Sequence, residues 1–238
     1  MSSFARSALV FGWLAALSAA LVFMNTGQAD PQRKVTDFDE INVHRINIIE
    51  PDGKPRVIIS NRAEMAGIYW GGKEYKHSNR DNGGMLFFND DGDEVGGMLF
   101  KSRHQGDQYG AASSLLFDQY HQDQILGLQY GEENGRREAG MVVWDRPDQS
   151  IQPLIELSDR LVNATTEEER AKIRAQQQEM KKSFGPSPKR LFAGKSADEA
   201  VVKLADKAGH VRLQLKVDAA GTASVEFLDE SGKVTRKL

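Results

Sequence analysis

"ADKAGHVRLQLKVDAAGTASVEFLDESGKVTRKL", residues 205–238, sets an aspartate three positions ahead of a glycine three times: Asp206/Gly209, Asp218/Gly221 and Asp229/Gly232. An Asp side chain bonds the backbone of its own turn, and glycine tolerates the left-handed conformation that closes one. The glycines are 12 and 11 residues apart, and turn signals at that spacing predict short antiparallel strands. Between the first two turns "VRLQLKV" alternates cleanly. Val211, Leu213, Leu215 and Val217 share one face, and Arg212, Gln214 and Lys216 share the other. One face is therefore expected to be wet.

The same device recurs upstream. In "IIEPDGKPRVIIS", residues 48–60, Pro51 presets the φ of a turn, Asp52 can bond its own backbone and Gly53 closes the bend between two β-branched runs. "FFNDDGDEVGGMLF", 87–100, turns at Asp90, Asp91 and Gly92, and "LQYGEENGRREAGMVVW", 128–144, turns on Asn134-Gly135. A second echo accompanies the turns. Gly83-Gly84-Met85-Leu86-Phe87 returns as Gly96-Gly97-Met98-Leu99-Phe100, with looser copies at 113–117 and 139–143. Small residues at a strand entrance admit close backbone approach, and the continuous apolar runs predict strands buried on both faces. A meander of similar strands and a solenoid-like repeat both account for the echo.

Between the two β regions the period changes. Pro153 opens "LIELSDRLV", where Leu154, Leu157 and Leu161 share a helical face. "TTEEERAKIRAQQQEMKKSF" then offers Thr165 or Thr166 as N-cap with Glu168 or Glu169 three residues on, and Lys181-Lys182 late. With only Ile173, Met180, Ala171 and Ala175 as an apolar stripe, this helix is expected to be a solvated connector or an arm docking on another chain. The predicted fold is mainly β, an antiparallel meander or solenoid-like sheet of hairpins with a helical insertion. Its segments are 1–29, a signal peptide or anchor; 37–150, the hairpin repeats; 151–188, a helical connector; and 189–238, a C-terminal meander that either stands alone or joins the same sheet.

The chain starts with a single Arg6 followed by 17 residues without charge, 8–24, and small residues at Gly27 and Ala29. That order matches an export signal cleaved after Ala29, or an uncleaved anchor, since about 20 residues span a bilayer. Either way the remainder is expected outside the cytoplasm, periplasmic or anchored facing outward. The formal net charge is −3, and residues 30–238 hold 30 basic against 34 acidic residues. No basic surface tracks a phosphate backbone, so nucleic acid is not an expected partner. With no cysteine, disulfides, thiolate nucleophiles and Cys-ligated zinc are all excluded.

Chemical motifs are sparse. An EF-hand loop with its glycine at Gly92 would put the first ligand on Phe87 and the twelfth on Met98, so the oxygen spacing fails. His44, His77, His104, His121 and His210 show no paired-ligand spacing, and no serine-hydrolase elbow, P-loop or dinucleotide fingerprint is present. No catalytic, cofactor-binding or metal-ligating residue is singled out. Carboxylates converging from separate loops leave a hydrolase as a third reading. Aromatic residues give the better lead: Tyr69, Trp70 and Tyr75 lie near turns among hydrogen-bonding side chains, a pattern used for sugar or protein recognition.

"FDEINVHRINIIEPDGKPRVIISN", "GGMLFFNDDGDEVGGMLF" and "LLFDQYHQDQILGLQYGEENGRREAGMVVWDRPD" resemble a group of uncharacterised bacterial exported or membrane-anchored proteins, over 38–148 and less fully in the C-terminal strands. The resemblance implies an envelope setting and a β-rich fold, and transfers no site. The expected function is non-enzymatic: a structural or protein-interaction module of the cell envelope, through a protein partner or self-association, with membrane contact through the N-terminal segment if it is retained. The alternative is a glycan- or peptide-binding exported module.

Overall fold

The computed structural model describes residues 35–77 and 80–238. The expected signal or anchor at 1–29 lies outside these residues. The chain divides into Met1–Asn42 and Val43–Leu238. In the first unit, residues 35–42 are exposed and form no strand or helix.

The second unit runs β1 (Arg45–Ile49), β2 (Pro55–Ser60), β3 (Ile68–Trp70), β4 (Lys73–Tyr75), β5 (Gly83–Phe88), β6 (Glu94–Gln105), β7 (Gln108–Asp118), β8 (Gln124–Glu133) and β9 (Arg136–Trp144). Helices α1 (Gln152–Asn163) and α2 (Glu167–Phe184) follow. Then come β10 (Lys189–Ser196), β11 (Glu199–Ala205), β12 (Val211–Val217), β13 (Ala223–Leu228) and β14 (Val234–Lys237). All strands but β3 and β4 form one antiparallel sheet of 12 strands in chain order, and β3 and β4 form a separate hairpin. Strand β10 pairs with β9, so the C-terminal strands continue the sheet across the helical insertion.

The turns follow the side-chain chemistry of the quoted stretches. Gly209, Gly221 and Gly232 each donate N–H to the carbonyl of the aspartate three residues back, at 2.9, 2.9 and 3.0 Å. Each aspartate Oδ1 accepts from the two backbone N–H groups at offsets two and four, as Asp218 does from Ala220 and Thr222. At 89–92 the acceptor is Asn89, one residue earlier than the acidic pair suggested. Asp52 Oδ1 accepts from Lys54 N–H at 3.1 Å, and the loop at 50–54 is a bend.

Residues paired across an antiparallel ladder project on the same face, so the register sorts the whole sheet. From β1 outward Ile46 pairs with Ile59, then Met85, Met98, Leu115, Leu128, Met141, Ala193, Val202, Leu215 and Val225. Val225 exchanges backbone hydrogen bonds with Leu238 at 3.1 and 2.9 Å. Two residues along, Ile48, Val57, Phe87, Gly96, Phe117, Leu126, Val143, Leu191, Leu204, Leu213 and Phe227 make a second row on that face. The opposite face reads Ile58, Leu86, Gly97, Leu116, Gly127, Val142 and Phe192, and then turns polar at Lys203, Gln214, Glu226 and Lys237.

The two small pairs of the echo open the space the hairpin needs. A Cβ on Gly96, whose φ is +135°, would stand 2.1 Å from the Leu116 carbonyl oxygen. The expectation that strands are buried on both faces fails, because both helices lie on the Leu86–Leu116 side. Leu154 and Ile155 of α1 and Phe184 of α2 line a cleft with Leu86, Gly97 and Leu116.

The two helices pack on each other. Thr166 caps α2, accepting from Glu169 N–H at 3.2 Å while Glu169 Oε2 accepts from Thr165 N–H at 3.3 Å. Ile173 and Met180 pack on Leu157, Leu161 and Ala164. The narrow stripe of α2 is thus occupied by α1, and most of its other residues are exposed. Among the described residues no helix is long and apolar enough to cross a membrane.

Candidate functional site

Two features stand out: an apolar sheet face that no other described residue covers, and a charged cleft beneath the helices. The two apolar rows hold 21 large or small apolar side chains besides Gly96, and none of them is buried. Leu128 is 53 % exposed, Phe117 44 % and Leu215 43 %. Twelve strands about 4.8 Å apart and two rows about 6.7 Å apart give roughly 55 by 13 Å, or about 700 Å². The largest apolar patch of an ordinary monomer is about 300–600 Å² and is often functional. The contrast with the other face matters here. Where that face lies beyond β10 it is polar, with Glu226 bound by Gln214, Lys216 and Lys237. On the bare face the two rows stay apolar through β13, and on β14 Arg236 pairs with Phe227 and lies over its ring.

The cleft, about 610 Å³, lies between the sheet and the helical hairpin. Arg80 Nη2 donates to both oxygens of Glu94 at 2.7 and 2.5 Å. Burial pushes the Glu94 carboxyl up, and the Arg80 charge opposes it. Arg146 stands 3.7 Å from Asp123 and donates to the Gln124 carbonyl. Gln122 is buried and donates to the Gln149 carbonyl at 2.8 Å. Burial also pushes the nearby Asp118 carboxyl up to about 8, with the charges of Glu94 and Asp123 adding to the effect. Its Oδ1 is buried without a hydrogen-bond partner. A proton on Asp118 leaves two carboxylates, Glu94 and Asp123, facing two guanidinium groups, Arg80 and Arg146, so the cluster balances in the neutral-acid form. Burial pushes the His77 imidazole down, and the Arg80 charge pushes it further.

The three aromatics singled out from sequence lie on the β3–β4 hairpin but on both of its sides. Trp70 pairs with Lys73 and Ile68 with Tyr75, while Tyr69 pairs with Glu74 on the other face. Tyr69 packs edge-on against Phe88 at 5.1 Å and donates to Glu74 at 3.0 Å. Trp70 stands 4.9 Å from the His121 ring, and Lys73 Nζ lies 4.6 Å over the Tyr75 ring. No single surface presents all three.

Among the described residues, Asp91, Asp93 and His121 are grouped within 4.8 Å. Their contacts account for one another: Asp93 accepts from Gly71 N–H at 2.6 Å and lies 3.3 Å from His121 Nε2, and Asp91 accepts from the Tyr120 hydroxyl at 3.0 Å. The group fastens the β3–β4 hairpin to the β5–β6 and β7–β8 turns.

Neither the cleft cluster nor the apolar face was found from the sequence. Glu94 adjoins a turn signal, and only tertiary packing closes it off, while Asp123 stays partly exposed. For the face the signal existed, since "VRLQLKV" alternates and most strands carry apolar residues at every second position, but register alone aligns those positions. No protein-family model matches the chain, and no curated protein matches it.

Proposed function

We propose that this protein is a non-enzymatic structural or protein-interaction module of the bacterial cell envelope, with the bare apolar sheet face as its working surface. One observation supports this most directly: apolar side chains occupy the same face of the large sheet from β1 through β13 while both helices pack on the other face. A face of that size left in water invites aggregation, so it is built to be covered. The charge-then-apolar start of the chain and the resemblance of 38–148 to bacterial exported proteins support an envelope location, exported across the inner membrane.

The chain has no cysteine, so single-cysteine variants of the full chain report one position each. Leu128→Cys on the bare face and Lys203→Cys on the opposite face are labelled in bacterial cells with a water-soluble maleimide. Protection of position 128 with labelling of position 203 is the expected result. Equal labelling of both removes the interaction reading, and recovery of the protein in the cytoplasmic fraction removes the envelope reading.

A second reading, a glycan- or peptide-binding module, is favoured by the cleft, which combines apolar walls from Leu86 and Leu154 with Arg80, Gln122 and Lys181. Calorimetric titration with soluble cell-wall fragments is its test. Heat of binding that persists unchanged in Lys181→Ala would place any binding elsewhere.

A further inference from the structure

The bare face fits a particular partner. We propose that it is covered by a second copy of this chain, the two sheets stacking face to face about a two-fold axis; this rests on the interaction reading above and names its partner.

Area is the first reason. The face presents roughly 700 Å² per copy, and a standard stable interface buries about 800 Å² per partner. The alternative cover within the chain is too small. Wound into a helix, the 17 uncharged residues at 8–24 would be about 26 Å long and about 10 Å wide, a footprint of roughly 260 Å². The two described helices are already engaged on the opposite face, where Leu154 and Phe184 line the cleft.

Self-complementarity is the second reason. An isologous contact sets a surface against itself, so a charge near the axis meets its like and a charge elsewhere must find a partner on the same face. The two rows carry no charged side chain from β1 to β13. The charged residues of that face lie at its edges: Arg236 on β14 beside Phe227, and the end of the long hairpins, where Glu132 accepts from Tyr109 at 2.8 Å and from Arg137 at 2.9 Å. That arrangement gives an apolar centre and a polar rim, the ordinary anatomy of an interface. Stacked sheets lie about 10 Å apart, and side chains of medium size fill that gap by interdigitation. In strand order the midpoint of the sheet falls between β8 and β9. The paired residues Leu128 and Met141 mark it. Any two-fold axis lying between fully overlapped faces passes close to them.

The test is photo-crosslinking in cells, with the full chain expressed in two differently tagged copies and p-benzoylphenylalanine in place of Leu128 or, separately, Met141. The expected product has twice the mass of the chain and carries both tags, and the same probe at Lys203 gives none. A product joining position 128 to a different protein overturns the second copy but keeps the interaction reading. If position 128 is protected from maleimide yet gives no protein adduct, lipid or the chain's own N-terminal segment covers the face, and the proposal fails. Free labelling at 128 with no adduct overturns both. Met141 serves as the second site, so failure of one variant to fold does not decide the outcome.

Discussion

A methyl group at Gly96 would meet the Leu116 carbonyl oxygen at 2.1 Å, in a backbone conformation at φ +135° that side chains rarely adopt. The oxygen belongs to the adjacent strand and cannot move without breaking the ladder. Gly96→Ala is therefore expected to destabilise the fold by about 3 kcal/mol or more, whereas the same change at an unstrained, exposed strand glycine would stabilise by about 0.5–1 kcal/mol, both read by urea unfolding. Asp118 gives a pH signature. Its folded carboxyl ionises near 8, whereas an unfolded one ionises near 4. Between those values the folded state keeps a proton that the unfolded state has lost, so stability falls as pH rises through that window. Asp118→Asn cannot ionise and is free of this slope. From pH 5 to pH 9 the wild type is expected to lose about 4 kcal/mol relative to the variant, a melting shift of roughly 10 °C. Parallel melting curves for the two proteins would contradict a buried neutral acid. None of this is visible in "LLFDQYHQDQ", where Asp118 reads as one more turn carboxylate.

At the scale of elements, α2 shows how far pattern reaches. Its N-cap and its acid-to-base polarity are local, and both Thr166 and the Glu167–Glu169 run act as their types dictate. Its packing is not local: Ile173 is 1 % exposed because α1 turns Leu157 and Leu161 toward it. Ile173→Ala is expected to cost about 3 kcal/mol within the helical hairpin. The cluster of Leu157, Ala164 and Ile173 is distinct from the cluster of Ile58, Ala66, Leu86 and Phe88 under the sheet. Amide exchange should accordingly speed up across α1 and α2 and stay unchanged in β5 and β6. Equal acceleration in those strands would show that helices and sheet unfold as one unit. The three D-x-x-G turns were legible because each depends on four or five consecutive residues, whereas at 89–92 the place of the bend was legible and its acceptor, Asn89, was not.

For the whole molecule, the arrangement of cover decides behaviour. Both helices and the β3–β4 hairpin lie on one side, and the apolar rows on the other side remain at the surface. Glutamate at Leu128 and Leu215 together is expected to leave the circular dichroism of the chain unchanged, since both positions are already exposed. It should weaken self-association by about 100-fold or more, because each charge would be buried unpaired in the stacked form. Unaltered association would move the interface to another surface. A solution mass by light scattering for the full chain and the double variant checks this directly.

Local sequence specifies six of the hairpin turns, the mainly β class, the two helices and the N-cap of α2, because turn residues, strand alternation and a capping box act over a few neighbouring positions. Which strand faces which, and therefore which residues share a face, is settled by register in the folded sheet. Register joins positions such as Ile46 and Val225, far apart in the chain, into one row, and no local propensity reaches that distance. Burial of Arg80, Glu94 and Asp118 had the same origin: a charge beside a turn is solvated unless another element closes over it, and here α1 and α2 do.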